Sequence, residues 1–292
     1  MKRTLAIFLS VLLAMSILPV ATYADETFEG ESRVTMGADL SASQREQVYR
    51  DFGIEQGEAQ ELTVTNAEER VYLEGKVSER KIGHKALSCA YISILGKGEG
   101  LRIELYNINY CTKEMYENAL ITAGITDAKV IISAPFAVSG TGALTGIYKA
   151  YEAITGSPLS ELAKAVGADE LVLTGELSEY IGGEDAAAII NELKKILDET
   201  QNMTDEEVIA EIRAIAKEYN VELTDAQIMQ LLDLCRKLEG LDVGQLQSRL
   251  VDLAKGVETA GKFVQGLGNA FEGVKQFFAN VGAFFAKIFS KK

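Results

Sequence analysis

The fold is decided by residues 128–152, AKVIISAPFAVSGTGALTGIYKAYE. The β-branched, apolar run at its start is typical of a buried strand, and the apolar spacing at its end is typical of a helix. Gly140, Gly142 and Gly146 lie between them. A strand, a glycine-rich turn and a helix predict a mixed α/β domain. They also raise the question of whether the turn binds a phosphate group.

The glycine-rich turn lacks the partners that a nucleotide site needs. Its spacing is G-x-G-x-x-x-G rather than G-x-G-x-x-G, and no GK[ST] triplet supplies the lysine of a P-loop. No acidic residue at a strand end stands out about 20 residues further on, where it would bind a ribose. Glycines here instead allow positive φ and close helix–sheet contact, with Ser139 or Thr141 capping the helix. We interpret the stretch as a tight turn and expect no cofactor.

Strand and helix signals flank this stretch on both sides. Ser41 and Gln44 fit a capping box, and the runs LSCAYISIL and LRIELYNIN on either side of GKGEG predict a β-hairpin. Helical patterns follow at 159–166, 169–180, 184–197, 204–219 and 224–238. We therefore predict a mixed α/β (α+β) domain with a β-hairpin over residues 25–200. An all-helical extension over 201–260 and a C-terminal amphipathic helix over 261–292 complete the prediction.

Two segments of the predicted α/β domain resemble each other. Residues 40–66 and 111–135 both run from a capped helix through Gly-Ile and a polar turn to a strand. The pattern is compatible with a duplicated unit and equally with the recurrence of common local chemistry.

The N-terminus, MKRTLAIFLSVLLAMSILPVATYA (1–24), has the layout of a secretory signal peptide. Its apolar run is shorter than the roughly 20 residues that a transmembrane helix needs, so we expect cleavage after Ala24. The remaining chain has 27 basic and 43 acidic residues, a net charge of −16. Because such a charge repels nucleic-acid phosphates, we expect an extracytoplasmic protein that binds no nucleic acid.

The three cysteines are an odd number for an exported protein. Cys235 stands among helix-spaced apolar residues, which indicates a buried thiol. Cys89 and Cys111 flank the predicted hairpin and are candidates for a disulfide, with two free thiols as the alternative. No CxxC spacing indicates a zinc or redox motif.

Five stretches of the chain resemble domain-of-unknown-function family 1002: VTMGADLS, LTVTNAEER.YL, IGHKALS, residues 121–152 and GGEDAAAIINELK. The resemblance covers most of residues 32–240. It implies an exported, envelope-associated protein of Gram-positive-type bacteria. The family has no assigned activity and no assigned catalytic residues, so the resemblance assigns no catalytic role to any residue of this chain.

The sequence contains no complete catalytic motif. His84 is the sole histidine, which excludes HExxH zinc chemistry, and no GxSxG elbow accompanies it. An exposed or hydrogen-bonded structural histidine is the simpler interpretation. An extracellular hydrolase that uses two carboxylates is the alternative function, although 43 acids give no means of choosing a pair or locating its cleft. We expect a protein that is not an enzyme and holds no metal.

The C-terminal segment, residues 261–292, is the most informative for function, with seven of the eleven phenylalanines. Apolar residues at 263, 267, 270, 274, 277, 281, 284 and 288 form one helical stripe. The segment has a net charge of +4, whereas residues 25–260 have −20. A basic amphipathic helix is typical of a membrane surface. The candidate binding residues are Phe263, Phe271, Phe277, Phe278, Phe284, Phe285, Phe289, Lys275, Lys287, Lys291 and Lys292.

Amphipathicity alone leaves two other uses of this tail open, because the stripe fits the protein's own core or a second copy of the chain equally well. The sequence therefore predicts a non-catalytic envelope protein that binds or tethers at the outer membrane surface or the cell wall. A membrane surface or a wall component is the expected partner, and a homo-oligomer formed through the tail is the alternative.

Overall fold

The computed structural model describes residues 28–252. Its first part is a sheet with helices on both faces. The elements in chain order are β1 (Ser32–Gly37), α1 (Ala42–Phe52), β2 (Gln60–Val64), α2 (Asn66–Leu73), α3 (Glu79–Ile82), β3 (Cys89–Ile94), β4 (Leu101–Ile108), α4 (Lys113–Ala123), β5 (Ala128–Val138) and α5 (Ala143–Thr155).

The helical part follows without a further strand among the described residues. Its elements are α6 (Glu161–Ile181), α7 (Gly183–Lys195), α8 (Leu197–Thr200), α9 (Asp205–Glu218), α10 (Asp225–Glu239) and a last helix, α11, over residues 243–252. The predicted order, mixed α/β and then helical, is confirmed. Within residues 28–252 no helix is both long enough and apolar enough to cross a bilayer.

The five strands form one mixed sheet in the order β2-β1-β3-β5-β4. β1 and β2 are parallel, as are β4 and β5, and β3 runs antiparallel to its two neighbours. Because β1, β2, β4 and β5 all point the same way, their carboxyl ends share one edge of the sheet. Open α/β sheets place their ligand sites outside such an edge.

The predicted β-hairpin is wrong, because β5 lies between β3 and β4. Ile94 of β3 and Leu101 of β4 both pair with Ala128 of β5. The side chain of Asp127 holds the connection in place by accepting hydrogen bonds from the backbone N–H groups of Gly98 and Gly100, each at 2.9 Å. The inserted strand is apolar on both faces, so the arrangement buries more surface than a two-stranded hairpin would.

The two similar segments form strand–helix–strand units of opposite hand. Both units, β1–α1–β2 and β4–α4–β5, cross the sheet in the same direction. Helix α1 packs with Val34 and Met36 on one face, whereas α4 packs with Val130 and Ile132 on the other. Crossovers with the same direction on opposite faces have opposite hands. The units are therefore not superimposable copies, which favours recurrent capping chemistry over duplication.

The helices from α6 to α11 share one hydrophobic cluster that extends across residue 200, from Val166 to Leu250. The boundary between residues 200 and 201 stays a prediction. Helix α6 is continuous where the sequence predicted two helices. Gly167 causes the difference, because a Cβ at this position would lie 2.7 Å from Tyr148 Oη and 2.8 Å from the Ala119 carbonyl oxygen. The glycine allows close helix packing and does not end the helix.

A buried ion pair joins the sheet layer to the helical part. Lys194 of α7 and Glu170 of α6 are both fully buried and in direct contact. Thr122 of α4 donates a hydrogen bond to Glu170 Oε2 at 2.5 Å, and Lys194 Nζ donates to the Asn118 carbonyl oxygen at 3.1 Å. Burial raises the pKa of Glu170 and lowers that of Lys194. Three helices thus meet at one desolvated charge pair.

Candidate functional site

The binding residues that the sequence predicts in the tail lie outside the described residues. They are Phe263, Phe271, Phe277, Phe278, Phe284, Phe285, Phe289, Lys275, Lys287, Lys291 and Lys292. Their role stays a prediction, and so does that of the signal peptide.

The predicted disulfide between Cys89 and Cys111 is not formed, since both cysteines are free and buried. Cys89 pairs with Ser133 of β5 and packs with Met36, on the α1 face of the sheet. The backbone N–H of Cys111 bonds the Ser139 carbonyl oxygen, and its side chain packs on the α4 face. The two cysteine side chains therefore lie on opposite faces of the sheet.

Three free thiols are therefore expected when the full chain is denatured without reductant. In the folded protein at pH 8 they should react slowly, because burial raises the pKa of Cys89 and Cys111 to about 12 and that of Cys235 to about 11. Counting alkylated thiols by mass spectrometry, with and without denaturant, tests both statements. A single reactive thiol in denaturant would show that a bridge exists.

The glycine-rich turn lies at the carboxyl edge of the sheet, where β5 leads into α5. Gly140 has φ of +87° and packs so closely that a Cβ would lie 2.6 Å from Ile108 and 2.7 Å from Tyr116 Oη. The predicted capping of α5 by Ser139 or Thr141 is wrong, because Gly142 is the N-cap and no side chain bonds there. The two hydroxyls bond the Lys81 carbonyl oxygen instead, at 2.7 and 3.5 Å.

A buried carboxylate occupies the space beside Gly142. Glu69 of α2 is 3% exposed, and its Cδ lies 2.3 Å from the point that a Cβ of residue 142 would occupy. Asn66 Nδ2 donates a hydrogen bond to Glu69 Oε2 at 3.3 Å. Burial, together with the negative charges of Asp39 and Glu68, raises the pKa of Glu69 to about 7. The chain's own acid therefore stands next to the helix N-terminus, where a glycine-rich loop would otherwise receive a phosphate.

Most of the sequence stretches that carry the family resemblance meet around this carboxylate. VTMGADLS supplies Asp39, and LTVTNAEER supplies Asn66 and Glu69. IGHKALS crosses the same edge, where Asp39 Oδ2 accepts a hydrogen bond from the Ala86 N–H at 2.8 Å. Residues 139–146 supply the turn. His84 is exposed, as the sequence led us to expect.

Glu69 is shielded from solvent at this edge of the sheet. A pKa near neutrality suits a general acid. However, Glu69 is almost completely buried, and it lines neither of two surface cavities formed by the described residues. The larger of these two, about 550 Å³, lies beside α1, and the smaller, about 210 Å³, is lined by the ion-paired Lys76, Asp169 and Lys237. The hydrolase alternative stays a prediction.

Sequence reasoning missed Glu69 because it follows Glu68, which completes the capping box of Thr65. Acids in a first helical turn are normally solvated. A usable signal was present in the helical spacing, since Glu69 lies four residues before the buried Leu73 and therefore on the buried face of α2.

The comparisons with known proteins agree with the motifs. No solved structure matches the chain significantly. A relative in Bacillus subtilis (strain 168), described as "Uncharacterized protein YpuA", is 41% identical over 270 residues, which is 91% of each chain. The model of the family "Protein of unknown function (DUF1002)" matches residues 36–253. With a family match over most of its length and a relative this similar, the chain belongs to the DUF1002 family.

Proposed function

We propose that the protein is exported and attaches to the outer face of the membrane through the tail, residues 261–292. The body, residues 28–252, would then be held at the envelope surface as a non-catalytic binding module. The proposal rests on the tail's composition together with the surface of the body.

The observation that carries the proposal is the lack of a continuous apolar face on the described body. Its large exposed apolar side chains are spread over six helices or strands, and only Tyr106 and Phe136 stand on neighbouring strands. The complete set is Val71, Tyr106, Phe136, Leu162, Tyr180, Met229 and Val251. A stripe of eight apolar positions needs a longer surface than this, which disfavours docking of the tail on the body.

The last described helix is fixed to the body. Val243, Leu246 and Leu250 of α11 are buried in the cluster of the helical part, and Arg249 lies over Gly124 at the end of α4. The body is therefore anchored up to residue 252, and eight residues of sequence separate it from the start of the tail.

Charge segregation supports a lipid partner over a second copy of the chain. The tail has a net charge of +4, whereas residues 25–260 have −20. A helix that pairs with its own copy gains nothing from this excess of lysine. Near an anionic surface each lysine contributes about 1 kcal/mol, and each buried ring adds roughly 25 cal/mol per Å² of apolar area. Lys275 and Lys287 interrupt the apolar segment, which favours a helix that lies flat.

We expect the full mature chain to bind vesicles of phosphatidylglycerol and phosphatidylcholine, and to bind less as salt is added. Replacing Phe277, Phe278, Phe284 and Phe285 by serine should reduce binding at least tenfold. Flotation of vesicles on a density gradient measures the bound fraction.

The matched control replaces Phe136 and Met229, which are exposed on the body, by serine and should leave binding unchanged. Sedimentation of the same variants separates the alternatives. If the parent chain ignores anionic vesicles but forms a dimer that the four tail substitutions dissociate, the tail joins copies of the protein and the proposal is wrong.

A further inference from the structure

A segment that we call the strap, residues 76–88, crosses the carboxyl edge of the sheet between α2 and β3. Polar contacts hold much of it. Ser139 Oγ donates to the Lys81 carbonyl oxygen at 2.7 Å, and an Arg70 N–H donates to the Gly83 carbonyl oxygen at 3.0 Å. Within the strap, Ile82 and Ala86 are the buried apolar residues. A segment held largely in this way opens more readily than a core element.

Two contacts of the strap depend on groups that surround Glu69. The amide of Asn66 is shared, since Nδ2 lies 3.3 Å from Glu69 Oε2 and 3.4 Å from the Gly83 carbonyl oxygen. Asp39, whose charge acts on Glu69, holds the strap three residues further on, through the Ala86 N–H at 2.8 Å. A change in the charge of Glu69 therefore acts on two contacts in the second half of the strap.

The surroundings of Glu69 offer little compensation for a negative charge. Asp39 on the loop after β1 and Glu68 on α2 repel it. Arg70 attracts it, but the guanidinium is engaged by Glu79 of the strap, with N–O distances of 3.1 and 2.7 Å. Tyr116 of α4 and Cys89 of β3 also face the carboxylate, and each is neutral because burial raises its pKa. The Asn66 amide and the uncapped N-terminus of α5 are the remaining favourable groups.

We propose that Glu69 is a proton-operated latch: the strap closes over the carboxylic acid, and ionisation of Glu69 favours opening of the strap. In the closed form the neutral acid fills the gap beside Gly142. When the proton leaves, the Asn66 amide is drawn from Gly83 towards the carboxylate, and the repulsion from Asp39 is relieved when water reaches Glu69. Opening would expose the glycine-rich turn and the N-terminus of α5.

The direction of the pH dependence follows from the pKa of Glu69. Its pKa is about 7 when buried, against 4.5 when solvated. The closed strap therefore binds the proton more tightly, and the equilibrium moves towards the open strap as the pH rises from about 4.5 to about 7. If opening hydrates the carboxylate fully, the population of the open form rises by up to about 100-fold between pH 5 and pH 8.

Hydrogen–deuterium exchange of the full mature chain tests the latch. After correction for the intrinsic effect of pH on exchange, the protection of peptides from the strap should fall by up to about 100-fold between pH 5 and pH 8. Peptides from α10 serve as an internal reference and should keep their protection. Glu69→Gln should hold strap protection constant over this range.

Glu68→Gln is the matched control, because the neighbouring acid is partly exposed and bonds Lys149 and Thr65 outside the strap. This variant should keep a pH dependence of the same direction, moved to lower pH because Glu68 no longer repels Glu69. The proposal is overturned if strap protection in the parent chain does not vary with pH, or if it falls by the same factor in Glu69→Gln. Strap protection in the parent chain that does not vary with pH would thus overturn the proposal even if Glu69→Gln folds poorly.

Discussion

Substitution of Glu170 by glutamine is expected to lower the free energy of unfolding by about 3–5 kcal/mol, because it leaves the ammonium group of Lys194 buried without a counter-charge. Both side chains have zero exposure, so water does not screen the loss. Glutamine has the size of glutamate and keeps an oxygen for the Thr122 hydroxyl. The substitution therefore removes a charge with little change in packing.

The same variant should become pH-dependent. Burial lowers the pKa of Lys194 below its unfolded value, and replacing Glu170 removes the main group that opposes this lowering. A lysine whose folded pKa is lowered binds fewer protons in the folded state than in the unfolded state. The variant should therefore gain stability as the pH rises, and its deficit should be larger at pH 6 than at pH 9.

Urea unfolding of the full mature chain measures both effects, and two further variants show that the cost comes from an unpaired buried charge. The double substitution Glu170→Leu with Lys194→Met should recover most of the stability, because it removes both charges and keeps apolar volume. Arg213→Met breaks an exposed pair with Asp225 and should cost less than about 1 kcal/mol. A Glu170→Gln variant as stable as Arg213→Met would mean that the pair is neutral or hydrated.

Local features of the fold were predictable because neighbouring residues determine them. The Ser41 side chain accepts a hydrogen bond from the Gln44 backbone N–H, as its capping box predicted, and Thr204 and Thr224 cap their helices in the same way. Gly53 and Gly124 end their helices in the left-handed conformation. In each of these caps the interacting residues lie within four positions of each other, so a short stretch of sequence is enough to predict the interaction.

Strand pairing and buried charges depend on distant residues. Nothing in the runs around GKGEG shows that β5, which begins 28 residues after Gly100, separates β3 from β4. Lys194 and Glu170 look like surface charges of amphipathic helices, although Lys194 lies one turn from Ile190 and Leu197 on the buried face of its segment. Their burial is possible only because each compensates the charge of the other, and the two residues are 24 positions apart in the sequence.

Substitution of Gly142 by alanine is expected to destabilise the protein by about 3 kcal/mol, at the upper end of the usual cost of overpacking. A Cβ would lie 2.3 Å from both Cδ and Oε1 of Glu69, and the Glu69 side chain is buried. The acid therefore has to leave its place, and the contacts around it are lost. Gly183→Ala is the matched control. The nearest atom to a Cβ at this position would be 3.6 Å away, and alanine has a higher helix propensity than glycine.

The double variant Gly142→Ala with Glu69→Ala isolates the contact between the two residues. Removing the carboxyl group makes room for the new methyl group, so the double variant should be about as stable as Glu69→Ala alone, with a favourable coupling energy of about 2–3 kcal/mol. Urea unfolding of all four chains is compared at pH 6, where Glu69 is mostly protonated in the folded protein. Additive losses in the double variant would show that Gly142 is needed for its backbone and not for the space it leaves. A favourable coupling energy would instead mean that the glycine serves to admit the chain's own carboxylic acid, which is why a loop that resembles a phosphate site has no vacancy for a phosphate.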